Sequence, residues 1–222
     1  MSTGTPAAAG GPRGAGGYDR VLALLVASLV VGALLPRGLS AAVSAGLGLL
    51  LWLAVARATA IGRREAAAGL VVFIAIMGFA IVTYSSDADR LAAADDLLLA
   101  AAVAALGAVI GRALVREQVV TFSTVTAVLC LYLLIGLFFA HAYLGVLALD
   151  ADAFAGIDGD PDRFNLIYFS FIALTTVGFG DITPAGDVAR ALAATEAVMG
   201  QLFLVTVVAR VVSLIGHERL KR

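Results

Sequence analysis

Six long apolar segments, separated by short charged or turn-forming breaks, restrict this chain more than any other feature. They run roughly Val21–Leu35, Ala41–Val55, Ala66–Tyr84, Leu91–Leu114, Val120–Leu149 and Val188–Ile215. A bilayer core of about 30 Å takes about 20 helical residues to cross. The first two segments are short by apolar count and lengthen through flanking Gly and Ser. The breaks are Pro36-Arg37-Gly38, Arg57 to Glu65, Ser85 to Arg90 and Arg112 to Glu117. With 61% hydrophobic and 14% charged residues, the chain carries far less charge than a soluble domain of its size. The expected fold class is therefore an all-α integral membrane protein with six transmembrane helices.

Charge placement orients the spans. Arg13 and Arg20 precede the first, Arg57, Arg63 and Arg64 follow the second, and Arg112 and Arg116 follow the fourth. Arg219, Lys221 and Arg222 follow the sixth, whereas the opposite loops hold only Arg37, Arg90, Arg163 and Arg190. The positive-inside rule then places both termini in the cytoplasm of a multi-pass cell-membrane protein. Residues 1–19, rich in Gly, Ala, Ser, Thr and Pro and without an apolar run, read as a disordered cytoplasmic tail rather than a cleaved signal. Residues 218–222 read as a short basic cytoplasmic tail. The loop LDADAFAGIDGDPDRF falls outside the cell and carries Asp150, Asp152, Asp158, Asp160 and Asp162. It is a solvated turret, a negative ring that concentrates cations, or both. A calcium loop is rejected, because DGDPD is too short and lacks the closing Glu.

Between the last two spans, the stretch RFNLIYFSFIAL is too short to cross a bilayer, and TTVGFGDITP follows it. Backbone that is not helical is tolerated at membrane depth only when it is buried in protein or lines a water-filled path. A re-entrant helix followed by an extended strand meets that condition. Gly178 and Gly180 alternate with Val177 and Phe179, as suits a strand in which every second residue takes a conformation closed to side chains with a Cβ. Such a strand can turn successive carbonyls toward one axis.

TTVGFGD, Thr175 to Asp181, resembles the selectivity-filter signature of the tetrameric potassium channel family, with Phe in place of the commoner Tyr. The resemblance extends from about Val120 to Ile215, and the filter chemistry is taken from it: rows of neutral oxygens replace the hydration shell of K+. It implies that the carbonyls of Thr176, Val177, Gly178 and Phe179 are K+ ligands, with the Thr176 hydroxyl innermost and Gly180 closing the outer end. Thr175 supports the filter from behind. Asp181 sits behind the outer mouth, where many relatives tie it to an aromatic donor, and Tyr168 occupies the donor position in which Trp is common. The position that holds a glutamate partner in some relatives is Ile172 here. Gly200, twenty residues after Gly180, matches the gating hinge of many relatives, and close helix packing is the alternative. Leu204, Val208 and Val212 continue below it as an apolar inner lining able to dewet.

Other polar residues in the spans give weaker signals. Gln201 either faces a cavity or bonds a neighbouring helix. Glu196 is a functional candidate because intramembrane acids are costly, and it pairs either with Arg190 or with the short helix. Arg210 snorkels to the cytoplasmic interface. His141 and His217 read as interface histidines, Trp52 as an aromatic-belt anchor, and Cys130 as a buried apolar residue.

These readings divide the chain into the tail 1–19, a four-helix transmembrane region 20–116 without a voltage sensor, a pore domain 117–217 and the tail 218–222. They imply a homotetrameric, potassium-selective channel subunit in the lipid bilayer, conducting passively and not steeply voltage-gated. Apart from permeant K+ in the filter no cofactor is expected, nor nucleic acid, for which a net charge of −1 offers no field. No small-molecule substrate is expected either. The rivals are a weakly selective cation channel and a potassium transporter subunit, whose four pore loops per chain are not matched by the one found here. An enzyme is also a rival, but the sequence has no nucleophile–base pair, metal cluster or phosphate loop to support one.

Overall fold

A computed structural model describes residues 17–34, 37–59, 61–84, 89–116, 121–157 and 163–220. Each of the six apolar segments falls on one helix: α1 (Tyr18–Leu34), α2 (Arg37–Ala58), α3 (Arg63–Tyr84), α4 (Asp89–Arg116), α5 (Phe122–Leu149) and α7 (Asp187–Leu220). The short stretch before TTVGFGD forms α6 (Arg163–Leu174). Among the described residues, three stretches are long and apolar enough to cross a membrane: Ala93–Arg116 in α4, Phe122–Leu149 in α5 and Asp187–Val207 in α7. Helix α1 has 17 residues, or about 25 Å at ~1.5 Å per residue, which is shorter than a bilayer core.

Helix α5 is the central element, packing against α1, α4, α6 and α7. Its start is fixed by a capping box, in which the Thr121 hydroxyl accepts from Thr124 N–H while the Thr124 hydroxyl accepts from Thr121 N–H. One apolar cluster joins α1, α2, α4 and α5 around Val21, Leu25, Val55, Ile110 and Cys130. Trp52 belongs to this cluster, buried, with its indole N–H donating to the Ala66 carbonyl of α3 at 3.3 Å. The expected belt position is thus corrected: the indole finds its polar partner inside the bundle and not at a headgroup. Cys130 is buried as expected.

A second cluster joins α5 to α6 and to the chain on either side of α6. Tyr143, Phe154 and Phe169 meet edge-to-face, with ring centroids 5.1–5.5 Å apart. This is a favoured aromatic geometry. Phe154 is in β1 (Phe154–Ala155), which pairs antiparallel with β2 (Thr183–Pro184), Phe154 opposite Pro184 and Ala155 opposite Thr183. The Ala153 carbonyl also accepts from Ala185 N–H at 2.8 Å. The chain leaving α5 is thereby tied to the chain entering α7, and the Thr175–Ile182 segment is held at both ends.

Candidate functional site

The segment after α6 starts as a helix terminus. Thr176 N–H donates to Ala173 O at 3.0 Å and Val177 N–H to Ile172 O at 2.9 Å, while Thr176 has φ 60°. These are the two bonds and the left-handed residue of a Schellman ending, with threonine where glycine is usual. Gly178 N–H also reaches Ile172 O, at 3.2 Å. The Phe171, Ile172 and Ala173 carbonyls are therefore satisfied by the segment itself, the Leu174 carbonyl accepts from the Tyr132 hydroxyl of α5 at 3.3 Å, and the partly negative end of the helix lies against the segment.

Positive φ recurs at every second residue: 60° at Thr176, 51° at Gly178 and 80° at Gly180. A Cβ built on Gly178 or Gly180 meets nothing within 4 Å, so backbone conformation and not space requires glycine there. A β-branched residue in this region is an outlier, and holding Thr176 there costs about 1–3 kcal/mol. The alternation expected from two glycines thus includes a third residue that composition did not reveal.

Tyr168 and Asp181 are brought together, the phenol donating to Asp181 Oδ2 at 2.8 Å. That bond holds the Asp181 carboxyl below the usual carboxylate range and pushes the Tyr168 phenol up. Thr175 turns its hydroxyl back to Phe171 O at 2.7 Å. Gln201 of α7 donates to the Thr176 hydroxyl oxygen at 3.2 Å, so its amide points at the start of the segment. Gly200 lies where α7 crosses the end of α6, and a Cβ there would overlap the Leu174 carbonyl. The structure therefore gives Gly200 a packing reason within a helix continuous from Asp187 to Leu220. Leu204 is exposed. The side chains of Val208, Val212, Arg210 and His217, and residues Asp158, Asp160 and Asp162, lie outside the described residues.

Glu196, fully buried, pairs with α6 and not with Arg190, whose guanidinium donates to Pro184 O at 3.2 Å. The Ser170 hydroxyl lies 2.5 Å from Glu196 Oε1 and 2.7 Å from Gly136 O. The Tyr143 phenol donates to Glu196 Oε2 at 2.6 Å. Sequence reasoning missed Ser170, Tyr143 and Gly136. The available signal was that a lone acid in an apolar span demands donors, and Ser170 is the one hydroxyl in the apolar run FSFIAL of α6. His141, read as an interface histidine, lies 3.5 Å from Asp96 of α4, and Asp96 also pairs with Arg163 at the start of α6. Sequence spacing hid this because the partners come from three helices.

Residues 127–217 match a family model described as ion channel. The match opens in α5 and runs through α6 and TTVGFGD into α7, and it supports an ion-channel family and a membrane-embedded assembly rather than an enzyme. Helices α1–α4 lie outside it. No curated protein and no solved structure matches the chain.

Proposed function

We propose that this chain is one subunit of a potassium-selective channel that conducts K+ passively, with Thr175–Asp181 as its filter. The observation that carries the proposal is the alternation of positive φ at Thr176, Gly178 and Gly180 within TTVGFGD. A backbone of alternating hand presents carbonyls of successive residues to one side. In a ring of four copies, the oxygens of Thr176, Val177, Gly178 and Phe179 would surround an ion and replace its water, with the Thr176 hydroxyl innermost. K+ sheds water more cheaply than Na+, so a row of neutral oxygens favours it.

A single copy leaves the ring open, and its surface supports closure. Val177 is 53% and Phe179 71% exposed, and Val198, Leu202, Leu204 and Val205 of α7 are exposed as well. Apolar surface of this extent along a candidate ion path calls for cover by further copies, and four-fold cyclic closure supplies it. In this reading residues 117–217 form the pore domain, α6 is its re-entrant helix, α7 lines the inner path, and 20–116 form a surrounding four-helix region. Both termini face the cytoplasm of the cell membrane.

Purified protein reconstituted in planar bilayers tests the proposal through reversal potentials under bi-ionic K+/Na+ conditions. K+ is expected to permeate far better than Na+. Equal permeability would replace the proposal with a weakly selective cation channel, and a cross-linking ladder ending short of four would remove the tetramer.

A further inference from the structure

The oxygens around Glu196 do not have enough hydroxyl protons for the contacts they make. Three oxygen pairs stand at hydrogen-bond distance: Tyr143 Oη with Glu196 Oε2 at 2.6 Å, Ser170 Oγ with Glu196 Oε1 at 2.5 Å, and Ser170 Oγ with Gly136 O at 2.7 Å. Each contact requires one proton between its oxygens. Tyr143 and Ser170 supply one each, and a backbone carbonyl supplies none. With Glu196 ionised, one pair is left as two facing acceptors. The third proton has a single remaining place, the Glu196 carboxyl.

Surroundings agree with the count. Glu196 and Ser170 are fully buried. The titratable groups facing the carboxyl are Tyr143 and Tyr132, both from α5, while α6 offers the Ser170 hydroxyl. Among the described residues no cation pairs with Glu196. An ionised carboxylate at this depth would carry a large uncompensated desolvation cost.

We propose that Glu196 is a neutral acid that acts as a positioning residue, its proton closing a relay from Glu196 through Ser170 to Gly136 that fixes α6 between α7 and α5. In this relay Glu196 Oε1–H donates to Ser170 Oγ, Ser170 Oγ–H donates to Gly136 O, and Tyr143 donates to Glu196 Oε2. Every proton has one acceptor, and no charge is buried. Two residues further along α6, the Ile172 carbonyl receives the Val177 and Gly178 N–H groups. A shift of Ser170 is therefore passed directly to the segment that carries the alternating backbone. Removing the proton sets Ser170 against one of its two acceptors and buries a charge, so strongly alkaline conditions release α6.

The conduction arm of the test rests on the channel reading, and the spectroscopic arm does not. Infrared difference spectra of wild type against Glu196→Gln at neutral pH are expected to show a protonated-carboxyl stretch that the variant lacks. In K+ flux from proteoliposomes, Glu196→Gln keeps the wild-type rate at neutral pH, because its amide N–H donates to Ser170 and its oxygen accepts from Tyr143. The same variant is expected to lose less flux than the wild type as pH is raised, and Glu196→Ala loses flux at every pH. Absence of the protonated band overturns the proposal, as does a Glu196→Gln variant as inactive as Glu196→Ala. If the band is present while no form passes K+, the channel reading fails and the relay stands.

Discussion

The Tyr168 phenol lies 2.8 Å from Asp181 Oδ2 and so bonds helix α6 to the far end of the segment that leaves it. The bond lowers the Asp181 pKa and raises that of Tyr168. A lowered carboxyl contributes stability above its ordinary value and loses it as pH falls through the folded value. A raised phenol contributes below its ordinary value and loses it as pH rises through the folded value. The tie is therefore intact across the neutral range and fails at both extremes. Asp181 is exposed and Tyr168 only half-buried, so the contribution of the tie to stability is small and is better read in kinetics. Tyr168→Phe and Asp181→Asn are each expected to speed the decay of K+ current during sustained opening, and the double variant to decay no faster than the worse single one. Additive effects in that cycle would show that the two side chains act separately.

Gly178→Ala separates conformation from packing. A Cβ at residue 178 has open space around it, so the variant should assemble as the wild type does. Its φ of 51° opposes an L side chain, at a cost of roughly 1–2 kcal/mol per subunit. That cost favours a flipped peptide, which would turn a carbonyl away from the ion path. K+ flux is expected to be abolished while the size-exclusion profile holds. Retained flux would mean that the alternating backbone does not form the ion sites.

Residue 200 is expected to behave in the opposite way. Close approach of α7 to the end of α6 leaves no room for a methyl beside the Leu174 carbonyl. Gly200→Ala forces the helices apart and is expected to cost on the order of 1–3 kcal/mol of stability, seen as a lower melting temperature in detergent. A hinge without a packing role would instead keep its melting temperature under the same substitution and change only open probability.

The apolar segments placed six of the seven helices because hydrophobic runs of that length between charged breaks have few other uses. The filter-like segment was legible because glycine spacing reports backbone conformation directly. Thr176 was not, since nothing in a threonine announces a positive φ, and only the Schellman ending of α6 imposes it. The Glu196–Ser170–Gly136 contacts were hidden for a different reason. They join three helices separated by 26 and 34 residues in sequence, and one acceptor is a backbone carbonyl with no side-chain signature. Trp52 misled because an indole near a span end suits either a headgroup belt or a buried bond to a neighbouring helix, and the nearby Ala66 carbonyl decided it.

Helix α4 makes the last prediction, a shallow response to voltage. In steeply voltage-gated channels about 3–4 gating charges per subunit cross the field, each worth about 2.3 kcal/mol per 100 mV. Here α4 reads DRLAAADDLLLAAAVAALGAVIGRALVR, and from Leu91 to Gly111 it has no basic residue. Arg112 and Arg116 occupy its last turns, where the positive-inside rule already accounts for them. Asp95 and Asp96 lie near its other end, and Asp96 is engaged by Arg163 of α6. Moving Asp96 through the field would break that pair and draw a carboxylate into hydrocarbon, so it is a poor gating charge. The pair instead anchors α4 to the start of α6. Conductance–voltage curves in symmetrical K+ should have a limiting slope well below one gating charge per subunit at low open probability. A slope of several charges per subunit would overturn this prediction, and an Asp96→Asn variant that kept that slope would exclude Asp96 as its source.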